Sequence, residues 1–274
     1  MPSFPQMNDL PAIIDSTGWK WEPYKTPSFP SDDFWLGFDR DGNRWLTKLR
    51  GGFYAYRELV FARVAQKMGW SCQSSAFMRP DPHSAEMAGV SVDDDDVHAV
   101  HWFMEEHPQK KCSPECPLEF PFGRSIQTVD DLVGSRIDHL MDWPKSEVAA
   151  YLFGGHEPPG RLITTAHEFV IIDSEQMFST NPCDLTETRW WNNPDGSPSV
   201  SGRRLTSQVC RDLCRLSEFD LQEALRIPET VSVEQLWPIA PKLNASRAFA
   251  RLFWQAGDPQ CGQASSGHWP PRDP

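Results

Sequence analysis

Long hydrophobic runs and a surplus of positive charge are both missing from this sequence. No uninterrupted apolar stretch approaches the roughly 18 residues that a membrane-spanning helix needs, so we expect no membrane span. The opening MPSFPQMNDLPAIIDS lacks a basic segment followed by an apolar one, so we expect no secretory signal.

With 26 basic and 38 acidic residues the formal charge is −12. Such a chain as a whole is not expected to bind nucleic acid, because that requires a basic face, although a local basic groove is compatible with this composition.

A disulfide framework is also missing. The seven cysteines are odd in number and irregularly spaced, which is typical of unpaired thiols in a reducing compartment, and we therefore expect a cytoplasmic protein. What the sequence does contain is enough apolar material for a core. Hydrophobic residues make up 39% of 274 residues, enough for one large domain or two lobes, and 12 Trp with 16 Phe exclude a disordered chain.

The first strong pattern predicts a β-hairpin followed by a helix. In FWLGFDRDGNRWLTKL, residues 34–49, two apolar runs flank a loop of turn-forming residues, and Lys48 lies on one face of the second strand. Apolar residues recurring every fourth position predict a helix over about 54–68, with Glu58 in its first turn. The lysine and the glutamate can meet if the helix packs on the sheet. Alternatively, Lys48 is solvated and Glu58 only favours the helix N-terminus, which is the commoner outcome for such a pair alone.

Histidines and cysteines are concentrated in the segment 98–116. Two thiolates and two imidazoles make a closed tetrahedral zinc site, and the candidate ligands here are His101, His107, Cys112 and Cys116. The spacing between the two cysteines is wider than in a CxxC motif, so a loop with unrelated His and Cys is the alternative.

We expect the chain to be organised around the stretch YLFGGHEPPGRLITTAHEFVIIDSEQMF, residues 151–178. An apolar run, a Gly/Pro loop and a short strand precede a second strand at 168–172, which ends on Asp173. A carboxylate at the end of a buried strand is a common way to present a metal ligand, although Asp is also a routine turn former.

Most of the remaining pattern predicts helices. We expect short helices near 129–133, 137–141, 145–152, 207–216, 221–225, 233–237 and 246–254, and a disordered tail at 255–274. A strand-rich first third followed by a mainly helical part predicts a two-lobed α+β fold, with an N-terminal lobe at 1–80 and a C-terminal lobe at 81–254.

This order of residues resembles the protein-kinase-like fold, in which a strand lysine holds nucleotide phosphates, a helix glutamate pairs with it, and a later aspartate carries Mg²⁺. Lys48, Glu58 and Asp173 stand at the corresponding places. The runs HEPPGR and VIIDSEQMF resemble the catalytic loop and the following strand of HipA-like kinases and, more distantly, phosphatidylinositol 3/4-kinases. SEFDLQEALRIPETVS resembles a late helix-then-proline pattern of these families, so the likeness covers roughly residues 34–254.

The catalytic loop departs from the family pattern. His156, or Glu157 if the loop is one residue shorter, stands where those kinases have the catalytic aspartate, and Arg161 stands where they have a metal-binding asparagine. His156 or Glu157 can accept a hydroxyl proton, whereas Arg161 cannot bind a cation and is expected to neutralise phosphate charge. The expected glycine-rich phosphate loop is missing, since residues 26–33 contain no glycine.

The resemblance implies a divergent phosphotransferase that uses ATP and Mg²⁺ and acts on a hydroxyl of a protein or small molecule. The alternative is a pseudokinase that binds nucleotide, or a partner protein, without catalysis, since both catalytic-loop residues differ. AMP transfer on the same fold is a third option that no residue selects.

Overall fold

The computed structural model describes residue 5 and residues 7–25, 34–51, 53–79, 81, 97–105, 137–182, 200–225 and 238–253. Within these ranges the chain forms a mixed α+β structure that begins with a short 3₁₀ helix, Met7–Asp9. The strands are β1 (Ile13–Asp15), β2 (Lys20–Pro23), β3 (Trp35–Phe38), β4 (Arg44–Gly51), β5 (Ser75–Arg79), β6 (His98–Trp102), β7 (Gly160–Ile163) and β8 (Phe169–Ile172). The helices are α1 (Phe53–Lys67), α2 (Asp142–Leu152), α3 (Val200–Arg215), α4 (Glu218–Leu225) and α5 (Ile239–Phe253).

The first six strands form one sheet in the order β1-β5-β6-β4-β3-β2, in which only β1 and β5 pair in parallel. The hairpin predicted at 34–49 is confirmed as β3 and β4. Its turn is held by Asp39, which accepts hydrogen bonds from the backbone of Asn43 at 2.8 Å and from the indole of Trp45 at 3.0 Å. Gly42 supplies the left-handed conformation that the turn requires, with φ of 82°. This turn fixes the register that places Lys48 on β4.

Helix α1 covers one face of this sheet against β5 and β6. The predicted helix is confirmed, with its start at Phe53 and its end at Lys67. Because it starts there, Glu58 lies in the second turn and not, as predicted, in the first. The side chain of Glu58 is therefore held within the packed part of the helix and is buried, which the dipole-based alternative did not require.

The remaining described residues form the β7–β8 hairpin and four helices. The two strands of the central stretch are confirmed, since β7 pairs antiparallel with β8. The helix predicted at 137–141 is wrong: Asp138 forms a bridge with Glu168, and α2 begins only at Asp142. Helices α3, α4 and α5 each begin earlier in the chain than the pattern predicted. The helices predicted at 129–133 and 233–237 and the tail at 255–274 lie outside the described residues.

The sheet continues beyond residue 80, where the sequence placed the end of the N-terminal lobe. Strand β6 lies beyond it, yet pairs with both β4 and β5 in the middle of the sheet. The strand-rich part therefore extends at least to Trp102. The sequence analysis offered either a zinc site or a loop with unrelated His and Cys in the segment that contains this strand.

The sheet and the hairpin are joined directly. Cys72 forms a parallel bridge with Ile171 of β8, and the backbone N–H of Gln73 donates to the carbonyl of Ile171 at 2.9 Å. The core is continuous across this junction: Phe153 packs edge-on against Phe61 of α1, with ring centroids 5.6 Å apart. In the described part of the chain, no helix is long and apolar enough to cross a membrane.

Candidate functional site

Two residues 125 positions apart in the chain meet between the sheet and the hairpin. The ammonium of Lys48, from β4, donates directly to the carboxylate of Asp173, which follows β8 immediately. It also donates to Oε2 of Glu175 at 2.9 Å. Asp173 follows Ile172, the last residue of β8, which pairs with Gly160 at the start of β7. This contact is the centre of the candidate site.

Asp173 adopts an unusual backbone conformation. Its φ is 49°, in the left-handed region that Asp tolerates better than most residues. Gly160 packs against it so closely that a Cβ at position 160 would lie 2.9 Å from the Cβ of Asp173. A side chain there would displace the aspartate. Left-handed residues concentrate at functional sites, where the surrounding structure stabilises them.

Three carboxylates converge on this point. Oxygen atoms of Glu58, Asp173 and Glu175 all lie within 4.8 Å of one another. Carboxylate oxygens are the ligands that Mg²⁺ prefers in proteins, so the chemistry of this donor set suits a divalent cation. The structure thus brings together all three residues that the sequence placed in the nucleotide site, and adds Glu175.

The charge of Lys48 is determined by these neighbours. Its side chain is only 12% exposed. Burial by itself lowers the pKa of the ammonium, but the carboxylates of Glu58, Asp173 and Glu175 outweigh that effect and hold the pKa above its ordinary value. Lys48 is therefore a fixed positive charge at neutral pH, suited to binding an anion and unsuited to acting as a nucleophile.

An apolar cleft adjoins the ion pair. Its walls are aromatic and aliphatic side chains from β4, from the hairpin and from the segment after β6, together with the polar cluster. They leave a cavity of only about 30 Å³, comparable to the space of one water molecule. Tyr24 packs edge-on against Phe103, with ring centroids 5.3 Å apart, and the ammonium of Lys48 lies 5.5 Å from the ring centroid of Phe34. These side chains therefore narrow the cleft. Its lining comprises Tyr24, Phe34, Leu46, Thr47, Lys48, Glu58, Gln73, His101, Phe103, Met104, Leu162, Ile172 and Asp173.

The predicted catalytic-loop residues fall into two groups. His156 and Glu157 are exposed and belong to the segment that leads into β7. That segment ends at Gly160, whose backbone N–H donates to the carbonyl of Asp173 at 3.3 Å. It therefore approaches the same end of the hairpin as the carboxylate cluster.

Arg161 is not brought to the cluster. Its register partner is Ile171, which belongs to the main core, whereas Leu162 and Ile172 face the cleft. The guanidinium of Arg161 bonds the carboxylate of Glu147 on α2, and its Nε donates to the Ser146 hydroxyl at 3.1 Å. These contacts place it on the opposite face of the hairpin from Lys48.

Of the four candidate zinc ligands, only His101 lies among the described residues. His107, Cys112 and Cys116 lie outside the described residues. Both ring nitrogens of His101 already have protein partners: Nδ1 lies 2.6 Å from the hydroxyl of Ser75, and Nε2 lies 3.1 Å from Oε2 of Glu58. A histidine held in this way has no nitrogen left for a metal ion.

Sequence reasoning missed two members of the site. Glu175 had a signal, since it stands two residues after Asp173 at the end of a buried strand. His101 had none for its observed role, because the two elements that carry its partners are distant in the sequence.

No protein-family model matches the sequence, and no curated protein matches it. Among solved structures, the chain is similar to a Helicobacter pylori proinflammatory kinase, CtkA, with 10% sequence identity and a TM-score of 0.48 over 87% of this chain and 98% of that chain. An identity and a TM-score this low assign neither a family nor an activity to this chain.

Proposed function

We propose that this chain binds ATP with Mg²⁺ in the cleft beside Lys48 and transfers the γ-phosphoryl group to a hydroxyl acceptor, in a divergent protein-kinase-like, two-lobed fold. The observation that carries the proposal is the direct contact between Lys48 and Asp173. A buried strand lysine, a helix glutamate and an aspartate after a hairpin strand form the arrangement that phosphoryl transfer needs for anchoring phosphates and a cation.

Each residue of the cluster has a distinct role in this proposal. Lys48 exchanges its two carboxylate partners for phosphate oxygens, and Glu58 stays beside it and keeps it charged. Asp173 and Glu175 would hold the cation, which would supply positive charge for the group being transferred. Glu175 thereby takes the place of the metal-binding asparagine that the sequence lacks.

The acceptor is oriented from the segment before β7. His156 or Glu157 takes the proton of the acceptor hydroxyl as the oxygen–phosphorus bond forms and the bond to the ADP leaving group breaks. Both side chains are exposed, so a protein or small-molecule acceptor can reach them. Arg161 is left out of this chemistry because its guanidinium is bonded on the far face of the hairpin.

Nucleotide binding without turnover is the second candidate. The observation that favours it is the same position of Arg161: a residue expected to act on phosphate serves instead as a link between β7 and α2. The cleft itself favours neither candidate, since both require a nucleotide to enter it.

Thermal unfolding with and without ATP and Mg²⁺ tests the proposal first. We expect a nucleotide to raise the Tm of the wild type only when Mg²⁺ is present, and to leave the Tm of Lys48→Met and Asp173→Ala unchanged. The matched controls are Lys67→Met and Asp220→Ala, because these two residues form another lysine–carboxylate pair, 3.5 Å apart, on α1 and α4. The controls should respond to the nucleotide as the wild type does.

Turnover separates the two candidates. Release of ADP, or transfer of labelled phosphate in the presence of acceptor-rich extract, favours the phosphotransferase, and its loss in Asp173→Ala links it to this site. Binding without any turnover favours the second candidate. If ATP and Mg²⁺ leave the Tm of the wild type unchanged, both candidates are wrong.

A further inference from the structure

A buried hydrogen-bonded chain leads from the sheet to the site. Ser75 on β5 and His101 on β6 are register partners, only 3% and 8% exposed, and the Ser75 hydroxyl lies 2.6 Å from Nδ1 of His101. On its other side, Nε2 of His101 lies 3.1 Å from Oε2 of Glu58. The three side chains thus connect two neighbouring strands to helix α1 beneath the cleft.

The direction of donation follows from the two ends when Glu58 is ionised and His101 is neutral. An ionised carboxylate only accepts hydrogen bonds, so Nε2 of His101 must carry the proton that joins it to Glu58. The Ser75 hydroxyl can donate either to Nδ1 of His101 or to the carbonyl of Gln73, which lies farther away, at 3.4 Å. The short distance to Nδ1 favours donation to the histidine, and this holds the ring in the Nε2–H tautomer.

We propose that His101 is the positioning residue of the site, fixing the Glu58 carboxylate beside Lys48 independently of what Lys48 itself binds. This extends the proposed function, in which the ammonium must leave Asp173 and Glu175 for phosphate oxygens. Glu58 can stay in place during that exchange only if it has an anchor other than Lys48. The donor from His101, itself oriented by Ser75, is such an anchor.

The first test needs no nucleotide. Coupling between Glu58 and Lys48 is measured by urea unfolding of Glu58→Gln, Lys48→Met and the double variant, in the wild type and again with His101→Leu. We expect the coupling to fall by at least about half when His101 is replaced, since an unanchored carboxylate samples other rotamers. Unchanged coupling would overturn the proposal, because His101 would then only fill space.

A matched control is available on the same strand. His98 is 1% exposed and lies three positions before His101, so its side chain points to the opposite face of the sheet, away from α1. His98→Leu should alter stability without altering the coupling between Glu58 and Lys48. If both histidine variants reduce that coupling equally, the effect is a general loosening of the sheet and the proposal fails.

Two further measurements distinguish positioning from packing. Long-range ¹⁵N correlation spectra of the His101 ring should show a proton on Nε2, and an Nδ1–H tautomer would contradict the proposal.

If the wild type binds ATP, His101→Leu should weaken binding about tenfold to a hundredfold, the loss typical of a hydrogen bond to a charged group. His101→Gln, whose amide can still donate to Glu58, should recover most of that loss, and no recovery would count against positioning. If the wild type does not bind ATP, the proposed function fails, and the coupling and the tautomer still decide the role of His101.

Discussion

Replacing Lys48 by methionine removes the cation that lies among three carboxylates, and the cost can be worked out from the exposure of each partner. Lys48 and Glu175 are each 12% exposed at the side chain. Removing one member of so buried a pair leaves an uncompensated charge and costs about 3–5 kcal/mol. Asp173 is 38% exposed, so water screens its share, which adds less than about 1 kcal/mol.

The expected loss for Lys48→Met is therefore about 3 kcal/mol or more in the free energy of unfolding near pH 8. Methionine keeps the length of the apolar stem, so packing changes little. Lys67→Met is the control: the partners of Lys67 are about a third exposed, and the variant should lose less than about 1 kcal/mol.

The pH dependence of the stability of Lys48→Met is a second, independent test of this reasoning. Without the ammonium, the folded cluster binds protons more readily than the unfolded chain does, because protonation relieves the repulsion among the carboxylates. By linkage the variant gains stability relative to the wild type as the pH falls, so its deficit should shrink by about half or more between pH 8 and pH 5. Urea unfolding at several pH values measures this. A deficit equal to that of Lys67→Met, or one that does not shrink in acid, would refute the reasoning.

Three further outcomes follow from the packing. Phe153→Ala should lose about 3–5 kcal/mol in urea unfolding, since this fully buried ring packs edge-on against Phe61; a loss below about 1 kcal/mol would contradict the continuous core. Burial raises the pKa of Cys210 to about 12, so peptide mapping should find this thiol unlabelled by a thiol reagent at pH 8 until the protein is denatured. Arg161→Ala should destabilise the protein by about 1–3 kcal/mol through loss of Glu147 but leave ATP affinity unchanged; an affinity loss would return Arg161 to the site.

The local patterns predicted the hairpin, helix α1 and the central strands well, because each has its own periodicity and turn residues. Asp39 and Gly42 define a turn whose chemistry is readable from the sequence. Strand β6 was not predicted for the opposite reason: it pairs in the middle of the sheet, but its two histidines replace the apolar alternation that identifies a strand. A buried polar residue can be recognised as part of a strand only once its partners are known.

The candidate site was predictable where a residue stands at the end of an apolar element and unpredictable where its role depends on a distant partner. Asp173 follows β8 directly, Lys48 lies within β4 of the predicted hairpin, and the structure brings the two together. Arg161 is the residue after Gly160, which packs against Asp173. Side chains alternate along a strand, however, so Arg161 points to the other face of the hairpin. One position of register separates a residue in the cleft from one outside it, and no local pattern specifies that register.

The central claim is that Lys48 and Asp173 form a site for a nucleotide and its cation. A crystal structure with a non-hydrolysable ATP analogue and Mn²⁺, whose anomalous scattering locates the ion, tests it most directly. We predict the ion bound between Asp173 and Glu175, with the ammonium of Lys48 moved onto a phosphate oxygen. An intact contact between Lys48 and Asp173 in crystals that hold the analogue elsewhere would contradict the account.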